Sequence, residues 1–416
     1  MKQIISISIV ATILLASTVL NAGEPTAYRT DANQDASLQW FQPVPGQFPP
    51  ENAAHYFAGE FIGGDHVERT VRLRVDRDDR QSRDMFDHAI TVSMLPYGSV
   101  YYHGQPATLQ DIPIGTHLHG WFFERPADEQ RHWKVERGRL ENVFKLRESI
   151  EIDFTRCLRL EDDFSYHARR GQLWKIDSVD LDAKKLVATL ERDGQAIGKP
   201  QEFDLQGSTV VFQGSGFGTL KSIQPNQQVL MSIDWATMYG PGRVRNLWLD
   251  DQSRQLASAR QLERHRDYIR QRGIPGWVDA VDDKQKFVTI TFFDGIDPTL
   301  FEDFKIIVPE PLGWPTSGGA KDDLAPKGTI AVANESLNMY DPVNDRKGGN
   351  ILKTTRVPVV PGCSGVQIQV QCGMLLEGYR PTKIVRFFPA LWKVVALPRE
   401  ESFFGREQAV LVPVTP

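Results

Sequence analysis

The chain has 416 residues, of which 41% are hydrophobic and 24% are charged, and its formal net charge at pH 7 is −5. This composition is that of a globular protein and excludes a mainly disordered chain, and the length predicts two or three domains. The small negative charge gives no reason to expect an anionic lipid surface or a nucleic acid as an obligatory partner.

The first 22 residues are typical of a cleavable secretory signal peptide. Lys2 precedes an apolar run from Ile4 to Leu20, and the segment ends at the small residue Ala22. An uncleaved membrane helix is the alternative, but the run falls short of the ~20 apolar residues that span a bilayer. Residue 23 is Gly rather than Cys, so no bacterial lipid anchor is expected. We therefore expect an exported protein, periplasmic or extracellular, without an integral membrane anchor.

Short strand patterns dominate the chain after a polar, proline-rich lead-in over residues 23–54. Polar and apolar residues alternate in the segments 70–75, 89–94, 287–292 and 383–388, which are rich in β-branched and aromatic residues. Alternation with a period of two, interrupted by Gly, Pro and Asp, predicts antiparallel strands.

Several segments of the chain resemble one another. Residues 100–112 are echoed by residues 210–223, and the segment after Arg170-Gly171, with Trp174, is echoed by the segment after Arg272-Gly273, with Trp277. A weaker echo relates the segments that begin at Tyr239 and Glu377. Three modules of about a hundred residues account for these echoes.

The predicted fold class is mainly β, with three tandem small OB-like barrels joined by short helices. Helical patterns separate the modules, and short strands must cover their edges, as closed or half-closed barrels do. A two-sheet sandwich is the alternative for each module, and the sequence alone does not separate the two. The predicted boundaries are a signal peptide 1–22, a lead-in 23–54, a first module 55–156, a helical connector 157–170, a second module 171–252, a second connector 253–272, a third module 273–399 and a tail 400–416.

In this organisation the chain resembles exported bacterial proteins of unknown function that are built from repeated OB-like small barrels. The shared pattern is a Gly, a Thr-Leu or similar pair, and a Gly-bearing turn before a strand, as around Thr108-Leu109 and Thr219-Leu220. The resemblance covers most of residues 88–392, and it implies a fold type and no catalytic residue. The third module departs from the pattern, because Val357–Gly362 stands where the Thr-Leu pair is expected.

Two histidines in the segment Thr116–Gly120 form the most suggestive polar motif. His117 and His119 are one residue apart, so on a strand they point to the same face and can share a metal ion. The segment is also similar to the His-Leu-His-Gly phrase of multicopper oxidases, but the further histidines and the Cys-His segment of those enzymes are missing. A mononuclear metal site of His103, His117 and His119, completed by Asp or Glu, is one hypothesis. Strand histidines without an ion are the alternative, and the sequence favours it.

Adjacent aromatic residues are candidates for a ligand surface. Tyr101 and Tyr102 form one pair, and Trp121 and Phe122 form another. Neighbours on a strand point to opposite faces, so both members of a pair cannot face inward. Packing against a neighbouring module is the alternative use of the outward residues.

The three cysteines are too few for a disulfide scaffold. Cys363 and Cys372 bracket a strand-like run, and they form either a local disulfide or two buried thiols. Cys157 has no obvious partner.

No recognisable catalytic motif indicates an enzyme, and the recurrent Asp pairs lie where turns favour them. The arginine-rich segment 253–272 together with OB-like barrels suggests nucleic acid, but export and negative charge favour a solvated connector. We therefore expect a non-catalytic exported scaffold or binding module, with an extracellular glycan or an envelope protein as partner, no nucleic acid and no cofactor. The alternative is an exported hydrolase or metal-dependent protein centred on the first module.

Overall fold

In a computed structural model the chain is described over residues 28–33, 35–76, 89–126, 154–234, 242–304, 329–334, 347–372, 379–389 and 392. The predicted signal peptide, residues 1–22, and the predicted tail, residues 400–416, lie outside these ranges. The described chain is mainly β and forms three small barrels in sequence order, as the strand patterns predict. Within the described ranges, no helix has the length and apolar character needed to cross a bilayer.

The strands of the first barrel are β1 (His55–Asp65), β2 (Thr70–Val75), β3 (Ala89–Tyr102), the short β4 (Gln105–Ala107), β5 (His117–Glu124) and β6 (Phe154–Asp162). The five longer strands close into a ring in the order β1, β2, β3, β6, β5, and β5 pairs back to β1. β3 and β6 are parallel and the other neighbours are antiparallel. Every second side chain of a strand points to the same face, and Val71 and Leu73 of β2 are both buried in the interior of this barrel.

The strands of the second barrel are β7 (Gln172–Asp180), β8 (Lys185–Arg192), β9 (Gln195–Ala196), β10 (Gln201–Gln213), β11 (Gly216–Phe217), β12 (Gln228–Ile233) and β13 (Arg243–Trp248). The ring has the same order as the first, with β7, β8, β10, β13 and β12 as its five strands. As in the first barrel, the parallel pair joins the third and the fifth ring strands in chain order, which here are β10 and β13. Closed five-stranded rings of this kind agree with the predicted OB-like architecture.

The strands of the third barrel are β14 (Ile274–Asp282), β15 (Phe287–Phe293), β16 (Thr329–Asn334), β17 (Lys347–Arg356), β18 (Cys363–Cys372) and β19 (Ile384–Phe388). They close into a six-stranded ring in which every pair is antiparallel. The hairpin of β16 and β17 lies between β18 and β19. The segment Val357–Gly362, where the third module departs from the sequence pattern, connects β17 to β18.

Two helices follow the first and second barrels, α1 (Asp163–Ala168) and α2 (Asp251–Arg272). α2 covers the predicted connector 253–272. The predicted connector 157–170 is helical only in its second half, because residues up to Asp162 form β6. The physical reason is that Cys157 and Leu160 fill the first barrel, so this segment is held as a strand.

The lead-in packs between the first and third barrels. The ring of Phe48 lies 4.8 Å from that of Trp277 and 5.5 Å from that of Tyr97, centroid to centroid. Ala53 and Ala54 are buried in the same cluster. The lead-in therefore contributes to a core shared by two barrels, although it has none of its own.

The predicted disulfide between Cys363 and Cys372 is wrong. The two residues begin and end β18, and at about 3.3 Å per residue they lie about 30 Å apart along the strand. A disulfide needs Cα atoms within about 7 Å. Both thiols are free and buried, which is the alternative that the sequence left open.

Candidate functional site

His117 and His119 meet the first residue of α1 in the interior of the protein. Oδ1 of Asp163 lies 2.6 Å from Nδ1 of His117 and 2.9 Å from Nε2 of His119. All three side chains are buried, and one ligand-type atom of each lies within 4.8 Å of the others. We call His117, His119 and Asp163 the histidine cluster.

The other ring nitrogen of each histidine is also occupied. Nε2 of His117 lies 2.7 Å from Oδ2 of Asp76, just after β2, and Nδ1 of His119 lies 2.7 Å from the hydroxyl of Tyr56 in β1. Both rings are therefore held at both nitrogens, which fixes their orientation. Tyr56 is 37% exposed, so the cluster lies one layer of side chains below the solvent.

α1 and the second barrel complete the enclosure. The backbone N–H of Ile233 in β12 donates to Oδ2 of Asp163 at 2.8 Å. The ring of Tyr166 stacks on His119 with 3.7 Å between centroids, and the guanidinium of Arg170 covers the Tyr166 ring at 3.8 Å. The cluster thus lies where the first barrel, α1 and the second barrel join.

Charge is distributed unevenly within the cluster. Burial lowers the pKa of His117, but the carboxylates of Asp163 and Asp76 outweigh burial and raise it well above the usual value. Burial lowers the pKa of His119 to about 4. Burial raises the pKa of Asp163, but the two imidazoles outweigh burial and hold it far below its usual value. At neutral pH His117 is therefore charged, His119 is neutral and Asp163 is ionised.

The structure does not bring His103 into the cluster. His103 lies in the hairpin between β3 and β4 with a left-handed φ of 51°. Its ring stacks on Tyr102 at 3.8 Å and lies 5.2 Å from the ring of Trp248. Burial and the nearby Arg264 lower its pKa to about 3. Of the predicted metal ligands, His117 and His119 are together, and Asp163 stands beside them in place of His103.

A second site is a groove of about 320 Å³ between two hairpins and α2. The β3–β4 hairpin provides one side and the β10–β11 hairpin provides the other, so segments that echo each other in sequence face the same space. Phe217 at the rim is 79% exposed, whereas Trp248 is buried behind the groove. We call this site the hairpin groove. The residues that define it are Tyr102, His103, Phe212, Phe217, Trp248, Arg260 and Arg264.

Arg260 and Arg264 bring positive charge to the hairpin groove. Both are exposed on α2, and among the described residues neither has a carboxylate within 4.0 Å. By contrast, Arg254, Arg266 and Arg270 of the same helix each pair with an aspartate. The two groove arginines are thus available to an anionic ligand.

The four predicted ligand-surface aromatics divide between outward and inward positions. Tyr102 lines the hairpin groove, and Trp121 is half-buried beside Tyr56. Phe122 is fully buried and stacks on another ring at 3.8 Å, and Tyr101 is 5% exposed beneath an arginine. The prediction is wrong for Phe122, which faces the interior of the first barrel. It is also wrong for Tyr101, which points away from that interior but is covered by Arg169 and contacts Asp294 of the third module, the alternative use of an outward residue.

Asp163, Asp76 and Tyr56 were not among the residues predicted for the site from the sequence. The pair Asp162-Asp163 is visible in the sequence at the end of a strand, where Asp162 caps α1 through the backbone N–H of Ser165. Capping of α1 explains Asp162 but not Asp163. The second aspartate of the pair could therefore have indicated a further role, such as a partner for the histidines. Nothing local connects Asp76 or Tyr56 to the histidines.

Comparisons with known proteins give no family for this chain. No family model, no curated protein and no solved structure matches it. The hairpin groove and the histidine cluster are therefore the features that bear on its function.

Proposed function

We propose that this protein is an exported, non-catalytic binding protein whose hairpin groove holds an acidic glycan of the cell envelope or its surroundings. The observation that carries the proposal is the pairing of an aromatic surface with two arginines, Arg260 and Arg264, that have no carboxylate partner among the described residues. Two barrels and α2 contribute to the groove together, so binding would depend on their joint arrangement.

The shape of the groove favours a sugar over a protein surface. Its volume of about 320 Å³ is at the lower end of the range for small-molecule sites and suits a terminal or bent unit of a glycan. Tyr102 and Phe212 offer apolar ring faces, and Phe217 extends that surface into solvent. Aromatic rings supply rigid contact area at low entropic cost.

The arginines favour an acidic sugar over a neutral one. A guanidinium binds a carboxylate through two parallel hydrogen bonds, and such charge-assisted bonds are stronger than neutral ones. OB-type barrels bind both oligosaccharides and oligonucleotides. The net charge of −5 disfavours an oligonucleotide, which needs a basic track along its backbone.

The polar groups of the groove support binding without catalysis. Among its described lining residues the one carboxylate is that of Asp111, which accepts hydrogen bonds from Thr108 N at 2.8 Å and from Gln261 Nε2 at 3.3 Å. It is therefore committed to a turn and to α2. Hydrolysis of a glycosidic bond usually needs two carboxylates that face the bond.

The test compares binding of a uronic acid oligosaccharide with that of a neutral oligosaccharide of equal length, by calorimetry and by tryptophan fluorescence. We expect the acidic ligand to bind and the double variant Arg260→Gln/Arg264→Gln to lose at least about tenfold in affinity, a loss of about 1.4 kcal/mol. Arg270→Gln is the matched control, because Arg270 already pairs with Asp267 on the same helix.

Equal affinity for both oligosaccharides, or full affinity in the double variant, would contradict the proposal. Binding of a single-stranded oligonucleotide that falls steeply with salt and disappears in the double variant would favour nucleic acid instead.

A further inference from the structure

We propose that the histidine cluster binds one divalent transition-metal ion, with Nδ1 of His117, Nε2 of His119 and Oδ1 of Asp163 as its ligands. The inference is independent of the glycan proposal, because it concerns a different site. It rests on the donor set, on the convergence of three donor atoms and on the groups that hold them.

The donor set selects the class of metal. Two imidazole nitrogens and one carboxylate oxygen suit Zn²⁺ and its neighbours in the first transition row. Mg²⁺ and Ca²⁺ prefer sites built from oxygen ligands, so they are not expected here. The three donor atoms lie within 4.8 Å of one another and belong to fully enclosed side chains.

The three donor atoms must move slightly apart to make room for an ion between them. The separations of 2.6 Å and 2.9 Å from Asp163 Oδ1 are those of hydrogen bonds. Ligands at 2.0–2.1 Å around a tetrahedral ion are about 3.3 Å apart. Each imidazole therefore has to withdraw from the carboxylate by less than an ångström, and the ion takes the place of the bridging protons.

Surrounding groups already orient every ligand. Asp76 holds the far nitrogen of His117, and the Tyr56 hydroxyl holds the far nitrogen of His119. The backbone N–H of Ile233 holds the second oxygen of Asp163. Metal-binding histidines almost always have such an outer partner, and it fixes the ring so that one nitrogen faces the ion.

A divalent ion would also balance the charge of the site. When the ion replaces the proton on His117, both imidazoles are neutral and the carboxylates of Asp163 and Asp76 together face the site. Buried charge is costly unless it is compensated, and a divalent cation compensates both. The half-exposed Tyr56 is the side chain that would have to move for the ion to enter.

The experiment uses the full chain without a polyhistidine tag, freed of metal by a chelator and titrated with Co²⁺. We expect one Co²⁺ per chain, visible absorption from a site of low coordination number, displacement by Zn²⁺ and a higher thermal midpoint with metal. His119→Gln and Asp163→Asn should lose the absorption. His55→Gln is the control, since His55 also pairs with a carboxylate, that of Asp31, but outside the cluster.

Variants of the surrounding groups cover the case in which a ligand variant fails to fold. Asp76→Asn keeps the size of the side chain and should weaken Co²⁺ binding about 10- to 100-fold. Circular dichroism checks that each variant retains its strands. Folded protein that binds no more Co²⁺ than His119→Gln, or an Asp76→Asn variant with unchanged affinity, would overturn the proposal and leave a cluster held by protons alone.

Discussion

Asp162 in the first barrel and Asp250 in the second hold equivalent sets of hydrogen bonds. Asp162 accepts from the backbone N–H of His103 at 3.2 Å, and Asp250 accepts from that of Gly214 at 2.8 Å. Each also accepts from the backbone of the third residue of the helix that follows, at 2.9 Å and 2.7 Å. Each carboxylate thus ties a hairpin to the start of a helix, and both hairpins form the hairpin groove.

Asp250→Ala tests this tie. The substitution removes the N-cap of α2 and the bond to Gly214, so we expect the free energy of unfolding to fall by about 1–2 kcal/mol. Urea unfolding monitored by circular dichroism measures the change. Asp251→Ala is the control, because the Asp251 side chain is 84% exposed and caps nothing. Equal stability of the two variants would show that the tie is not an important source of stability.

Local patterns predict the strands but not the partners of the site. Alternation places His117 and His119 on one face of a strand, and this holds in β5. Asp163 joins them across 44 and 46 residues, and Asp76 joins His117 across 41. These contacts arise only when the barrel closes, so no spacing rule applied to one segment reveals them.

Two other errors have different physical origins. A period of two shows that Trp121 and Phe122 face opposite ways, but it does not tell which face is the core. The pairing of β5 with β1 and β6 decides that, and it buries Phe122. The disulfide error was avoidable, because a strand between Cys363 and Cys372 already holds the cysteines too far apart.

Phe122→Ala should be far more costly than Phe217→Ala. Phe122 is fully buried, so its loss leaves a cavity and should lower the free energy of unfolding by about 3–5 kcal/mol. Phe217 is 79% exposed on β11, the short second strand of its hairpin, and its loss should change stability by no more than about 0.5 kcal/mol. Urea unfolding of both variants measures the difference. Similar costs would contradict the burial of Phe122 in β5.

Glu161→Gln should destabilise the contact between β6 and the segment that follows α1. The Glu161 side chain is 1% exposed and lies 2.8 Å from Arg170, 3.3 Å from Arg169 and 3.9 Å from Arg159. Removal of its charge leaves these guanidinium groups without their buried partner. We expect a loss of about 3 kcal/mol in the free energy of unfolding, toward the lower end for a broken buried pair because the arginines are partly exposed.

The control for Glu161→Gln is Glu202→Gln. Glu202 is 53% exposed and pairs with Lys185 at 2.8 Å, so its substitution should cost less than about 1 kcal/mol. Thermal and urea unfolding at low and high salt separate the two pairs, since salt screens the exposed one more. A Glu161→Gln variant as stable as Glu202→Gln would contradict the role assigned to the buried carboxylate.

His265 should make the protein sensitive to acid. Nε2 of His265 accepts the backbone N–H of Asp297 at 3.2 Å, and burial lowers the pKa of His265 to about 4. The unfolded chain has the ordinary histidine pKa of about 6.5, so between pH 4 and 6.5 it binds a proton that the folded chain excludes. The contribution of His265 to stability is therefore full above pH 6.5 and is lost as the pH falls toward 4.

His265→Gln should flatten this dependence. The amide oxygen of glutamine can accept the same N–H but does not titrate, so the slope of unfolding free energy against pH should fall by about 1 kcal/mol per pH unit between pH 4.5 and 6. Urea unfolding across that range measures the slope, and a comparison at pH 8 gives the packing cost of the substitution separately. Parallel curves for the variant and the natural protein would show that His265 is already protonated in the folded state, and the bond to Asp297 N would then have to be reassigned.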